Sequence, residues 1–283
     1  MPDAGRSKSV RRIARAADPD RTLAALFAPR AARDDLFALF AFNAELARIA
    51  DLVTEPGLGA IRLQWWRDAI DAAAHGEATG QPVADAFGQA LARRGLSRER
   101  IGALIDARSF DIGETVMPDA RTLDAYLFDT TGGLFALAAE IVGAEGENRD
   151  VVAEAAGRAY GLVRVMRSLP VLAAKGRTYL AEDSLLRHGT SPQAIFSGET
   201  GPGIEALLAE MREHARESLR VAEFHLYGEG MTGTGINEAG RTAFLPLSLV
   251  EPYLAVLAKT ADPLHEIVRI NPLHRLWRLA RSR

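Results

Sequence analysis

The 283-residue sequence contains no cysteine. That excludes disulfides, zinc-thiolate and iron–sulfur sites and thiol catalysis, and it suits a reducing, intracellular compartment. Charge of one dominant sign is also missing: 34 Lys and Arg stand against 37 Asp and Glu, a formal net charge of −3. No global field therefore marks a nucleic-acid binder, and none is expected as a partner. Long apolar runs are absent too. The best, "GGLFALAAEIVGA" at 132–144, falls short of the roughly eighteen residues a spanning helix needs and carries Glu140, so the chain is not expected to cross a membrane. There is no Gly-x-Ser-x-Gly elbow, Walker loop, His-Glu-x-x-His or dinucleotide fingerprint. The six histidines are scattered, with His214 and His225 too far apart for a local ligand pair.

Apolar residues do recur, at three- and four-residue spacing nearly everywhere, and alternating β-branched runs are almost absent. This period predicts an all-α protein with no strand. Helices are expected at about 31–53, 58–75, 82–94, 97–113, 121–143, 148–174, 203–227 and 238–260, with a short one at about 272–281. Turn chemistry separates them: "TEPGLG" at 54–59, "TGQP" at 79–82, Ser97 as an N-cap, "SGETGPG" at 197–203 and "TGTG" at 232–235. The glycines of "GETGPG" read as loop, since neither a strand nor a lysine accompanies them. Pro246 and Pro252 should kink or break the last long helix. With no linker or repeat, residues 19–283 are expected to form one helical domain. Residues 1–18 read as a flexible basic arm; their Arg and Ser content also fits an organellar transit peptide, although Asp3 does not.

Two stretches resemble a known family. "LFAPRAARDDLFALFAFNAELARIAD" at 26–51 and "GRAYGLVRVMRSLPVLAAKGRTYLAED" at 157–183 resemble the squalene and phytoene synthases, head-to-head prenyl transferases. Between them "IDARSFDIG" and "TLDAYLFDTTGGLFALAAEIVG" resemble that family's acid, its Leu-x-x-Tyr helix and the glycine that follows. The likeness covers about residues 20–190. It implies an isoprenoid-synthase-type helical bundle around a central cavity, with Asp-x-x-x-Asp motifs on facing helices. Acids at i and i+4 share a helix face, and two such faces can hold magnesium against a diphosphate. Here the first motif falls on Ala47 and Asp51, and the second on Ser168 and Leu172. Three of the four acids are missing, while Phe40, Ala41, Phe42, Gly157, Ala159, Leu162, Arg167 and "GRTYL" with Arg177 and Tyr179 remain as the frame. Arg164 and Gly161 occupy the polar pair before the second motif. A guanidinium there opposes cation binding and could accept an anion, alone or in a cluster of Arg48, Arg164, Arg167 and Arg177.

"AFNAELARIADLVTEPGLGAIRLQWWRDAI" resembles more narrowly the branch of mitochondrial assembly factors for respiratory complex I and their bacterial relatives. That implies a pseudoenzyme needing no cofactor, with respiratory-complex subunits or assembly factors as partners, in a bacterial cytoplasm, including the inner membrane face, or in a mitochondrial matrix. The alternative is an active magnesium-dependent prenyl transferase, for which two or more of Asp111, Asp129, Glu182 and Asp183 would have to converge with Asp51. A third reading is a carrier of an isoprenoid or other lipid. Asn43, Glu45, Trp65 and Trp66 are candidates for a partner surface; adjacent tryptophans on a helix point about 100° apart, so one can pack inside while the other faces out, unless both are buried on two sides. The closing stretch, with Leu273, Leu276, Trp277 and Leu279 among Arg275, Arg278, Arg281 and Arg283, reads either as a peripheral membrane contact or as a capping helix whose arginines face water.

Overall fold

Three- and four-residue apolar spacing becomes helix over most of the chain in the computed structural model, which describes residues 2–53, 55–228 and 235–282. The elements run α1 Pro2–Ala17, α2 Pro19–Ala24, α3 Arg33–Leu52, α4 Pro56–Ala74, α5 Pro82–Arg94, α6 Arg98–Gly113, β1 Val116–Met117, α7 Ala120–Leu127, α8 Gly133–Val142 and α9 Arg149–Ala173. They continue with β2 Thr178–Ala181, α10 Glu182–Arg187, α11 Pro192–Phe196, α12 Pro202–Tyr227, α13 Glu238–Arg241, α14 Val250–Leu257 and α15 Pro272–Arg281. The expected helices are found within a few residues, except that 238–260 is broken. A 3-10 run at Thr242–Leu249 holds Pro246, whereas Pro252 sits harmlessly in the first turn of α14, where its missing N–H has no helical partner to lose. Ser97 caps α6 as expected, its hydroxyl accepting the Arg100 N–H at 3.2 Å. Residues 232–234 of the expected "TGTG" turn lie outside the described residues, as do Thr54 and Arg283.

Three expectations are corrected. Residues 2–17 are not a flexible arm but a helix, which packs on α3 with Val10 and Ala14 buried. Asp18 then caps α2, its carboxylate accepting the Arg21 N–H at 3.0 Å. Strands also exist: β1 and β2 pair in parallel, Val116 with Thr178 and Met117 with Ala181, too briefly to leave an alternating pattern. Finally, the helical run Ala120–Val142, continuous through a π turn at Phe128–Gly132, is long and apolar enough to cross a membrane. Its most apolar window is 78% buried inside the protein, which makes it a core helix here.

The centre is filled by aromatics. Phe42, Phe87, Phe135, Tyr160, Phe244 and Tyr253 are essentially inaccessible; Phe42 stacks on Phe87 at 4.5 Å, and Phe135 on Phe244 at 5.8 Å. The helix α9 reaches this core because Gly157 lets its backbone touch the π turn: a Cβ there would lie 2.5 Å from the Cα of Gly132.

Candidate functional site

The close approach of α9 to α7 and the π turn leaves a cavity of about 260 Å³ between α3, α6, α7, α9 and β2. Of the residues singled out in the sequence, Asn43, Ala47, Asp51, Asp111, Arg164, Ser168, Leu172, Arg177 and Tyr179 line it. One wall is apolar, with Leu127, Leu134, Val165 and Val171.

At its base Asp111, buried at the end of α6, accepts from the hydroxyls of Tyr126 at 2.9 Å and Tyr179 at 2.5 Å and from Arg108 Nη1 at 3.0 Å. Arg108 also donates to the Tyr126 oxygen and, through Nη2, to Asn43 Oδ1, both at 2.8 Å. Arg177 donates to the Asp111 carbonyl. Burial pushes the Tyr126 phenol well above its usual range, and the nearby Asp111 adds to this. Burial, with Asp111 behind it, raises Tyr179 to about 12. Both phenols therefore stay protonated donors at neutral pH. The side-chain nitrogen of Arg108 loses solvation on burial, but the neighbouring Asp111 carboxylate and its hydrogen bond outweigh that loss and hold the proton more tightly than usual.

Behind the cavity wall, Asp18 Oδ2 accepts from Arg164 Nη1 at 2.8 Å and Arg21 Nη1 at 3.0 Å. Burial opposes the Asp18 charge, yet Arg21 and Arg164 together bring its carboxyl below the ordinary value. At the mouth, the exposed Asp51 is ion-paired to Lys175 Nζ at 2.6 Å. Ala47, one turn earlier, offers no donor. Ser168 spends its hydroxyl on the Val165 carbonyl at 2.8 Å, and Leu172 is apolar. In all, Arg21, Arg108, Arg164, Lys175 and Arg177 line the cavity against Asp51 and Asp111; with Asp18 behind them, five cations face three carboxylates. The wall carries an excess of positive charge, the setting that favours an anion.

The expected arginine cluster does not assemble as a set. Arg164 and Arg177 reach the cavity, whereas Arg48 lies on the surface, ion-paired to Glu45 at 3.3 Å. Arg167 turns away to Asp20, 3.4 Å, with its guanidinium 3.7 Å from the centre of the Tyr253 ring. Nor do the replacement acids converge. Asp111 is held by its three donors, Asp129 lines a different cleft beside Asp150 and Glu154, and Glu182 and Asp183 are exposed at the start of α10. Among the described residues no three His, Asp or Glu come together in a metal-holding group. Magnesium prefers octahedral oxygen ligands that carry negative charge. An Asp51 neutralised by Lys175 and an Asp111 saturated by donors do not fit a magnesium cluster.

The suggested partner surface is also redrawn. Asn43 is buried in the Arg108 network, and Glu45 is largely covered. Trp66 is buried with its ring edge-on to Phe42, 5.7 Å away, while Trp65 is 44% exposed. Trp277 is half exposed. Sequence reasoning missed Asp18, Arg21, Arg108 and Lys175, and held Tyr126 only as the tyrosine of the Leu-x-x-Tyr helix, without a role. Arg108 stands one turn before Asp111 and Asp18 precedes a proline-led helix, so both left a local signal; Arg21 and Lys175 left none.

The squalene/phytoene synthase profile matches residues 14–279. A complex I assembly factor 6 of Bos taurus is 28% identical over 214 residues, 75% of this chain; the chain spans 64% of that relative's length. A phytoene synthase of Thermus thermophilus is 27% identical over 256 residues, covering 89% of this chain and 82% of its own. Among solved structures, a dehydrosqualene synthase superposes with a TM-score of 0.79 at 17% identity, covering 99% of this chain and 96% of its own. That likeness establishes the all-α isoprenoid-synthase fold, and with the family match over nearly the whole sequence the chain belongs to the squalene/phytoene synthase family.

Proposed function

We propose that this protein is a catalytically degenerate member of its family that assists the assembly of respiratory complex I, with a cavity that holds an anionic group directly through side-chain cations. The observation that carries this reading is the Asp51–Lys175 pair: the one acid at the four motif positions is neutralised by a lysine 2.6 Å away, opposite Ser168 and Leu172. The cavity size supports it as well. About 260 Å³ lies below the roughly 300–1,000 Å³ typical of pockets that enclose a drug-sized ligand, a size that suits an anionic head group better than two prenyl chains. Relatives named as complex I assembly factors supply the partner class, respiratory-complex subunits or their assembly factors. The role belongs in a bacterial cytoplasm or a mitochondrial matrix.

The test has two arms. Purified protein given prenyl diphosphates and magnesium releases no pyrophosphate, and a deletion strain of the native host loses assembled complex I. Robust release that Asp51→Ala abolishes would restore the active prenyl transferase. Normal complex I in the deletion strain would remove the assembly role.

A further inference from the structure

The helix α15 is mounted inside out. Arg275 turns inward, its Nε 2.9 Å from the buried Asp20 Oδ1, though out of line for a hydrogen bond. Arg278 donates to the Ser248 carbonyl at 3.1 Å, and Leu279 is fully buried. Leu273, Leu276 and Trp277 leave the protein, 77%, 44% and 50% exposed. At 100° per residue, positions 273, 276, 277 and 280 form one outward stripe about 100° wide, and 275, 278 and 279 form the opposite face. Of the two readings of this segment, the helix whose arginines face water is therefore corrected: its central arginines are fasteners.

The outward face has a definite chemistry. Ile267, just before the helix, is 58% exposed. Arg269 is exposed in the segment that leads into the helix, and Arg281 is exposed beside the stripe, its guanidinium 5.2 Å from the Trp277 ring centre. Glu266, exposed next to Ile267, is the last acid of the sequence, and none occurs on the helix itself. On the neighbouring α12, Glu223 lies within the field of Arg278. Exposed Leu and Trp flanked by cations, with no acid among them, match the boundary between head groups and acyl chains of an anionic bilayer. Ten residues span about 15 Å, too short to cross a membrane and long enough to lie along it. We propose that α15 docks this protein flat on an anionic lipid surface, with Leu273, Leu276 and Trp277 inserted and Arg269 and Arg281 among the head groups.

Sedimentation of the full chain with vesicles tests this. Binding is expected to phosphatidylcholine vesicles containing phosphatidylglycerol, at least tenfold stronger than to phosphatidylcholine alone, and weakened by salt. The double variant Leu273→Ser/Trp277→Ser should lose at least tenfold in partitioning at an unchanged melting temperature, since both side chains are solvent-exposed. Arg269→Gln/Arg281→Gln should lose the preference for the anionic lipid. Trp65→Ser, on the distant exposed tryptophan, should bind like the parent. Failure of the parent to sediment, equal binding by the Leu273/Trp277 variant, or a loss that follows Trp65 instead would each overturn the proposal.

Discussion

Asp111 is a buried carboxylate to which three side chains donate, and the three are not equivalent. Arg108 brings a full charge and also satisfies Asn43 and the Tyr126 oxygen. Tyr179 brings a single neutral hydrogen bond. Removing one partner of a buried ion pair costs about 3–5 kcal/mol, because the other charge is left uncompensated; a neutral hydrogen bond contributes about 1 kcal/mol. Arg108→Met should therefore destabilise several times more than Tyr179→Phe in urea denaturation, and equal losses would show that the tyrosines alone hold the carboxylate. The sequence made part of this site legible. An acid followed by a Leu-x-x-Tyr helix and by "GRTYL" marked Asp111 and Tyr179. The contact of Arg164 with Asp18 spans 146 positions, and nothing local foretells it. It also depended on reading residues 1–18 as structured, which their basic, polar composition argued against.

The long helices carry their period in the sequence and were found nearly to the residue. The elements that were missed include α1, docked through Val10 and Ala14, the short helices α2, α10 and α11, and the β1–β2 pair of two and four residues. The π turn at Phe128–Gly132 was equally silent, since only the packing of α9 against it reveals its geometry. Two glycines of α9 test that packing. At Gly157 an added Cβ meets the Gly132 backbone at 2.5 Å; at Gly161 it meets the end of the Leu127 side chain at 2.7 Å. Backbone cannot yield without moving a helix, whereas a leucine tip can rotate. Gly157→Ala should thus cost at least the roughly 1–3 kcal/mol of overpacking. Gly161→Ala should come close to neutral, because alanine recovers about 1 kcal/mol of helix propensity. Thermal melts of the two variants will show this order; the reverse order would mean that α9 is not seated on the π turn through Gly157.

At the scale of the whole molecule, the fold places five cationic side chains around a cavity where the family resemblance implies metal-bound diphosphate. Charge of this sign can take a phosphate group with no metal between them, since guanidinium and ammonium groups make charge-assisted bonds to its oxygens. A ligand that binds only the folded state stabilises it by RT ln(1 + [L]/Kd), about 1.4 kcal/mol at ten times Kd, which for a domain of this size raises the melting temperature by a few degrees. Pyrophosphate in the presence of a chelator should therefore raise the melting temperature of the purified chain. Magnesium should diminish the effect by sequestering the anion. The increment should shrink in Lys175→Gln, which leaves Asp51 unpaired at the mouth, and shrink further when Arg177→Gln is added. A rise that appears only with magnesium, and that Asp51→Ala removes, would instead mean that a metal bridge still operates, and the anion reading of the cavity would fall with it.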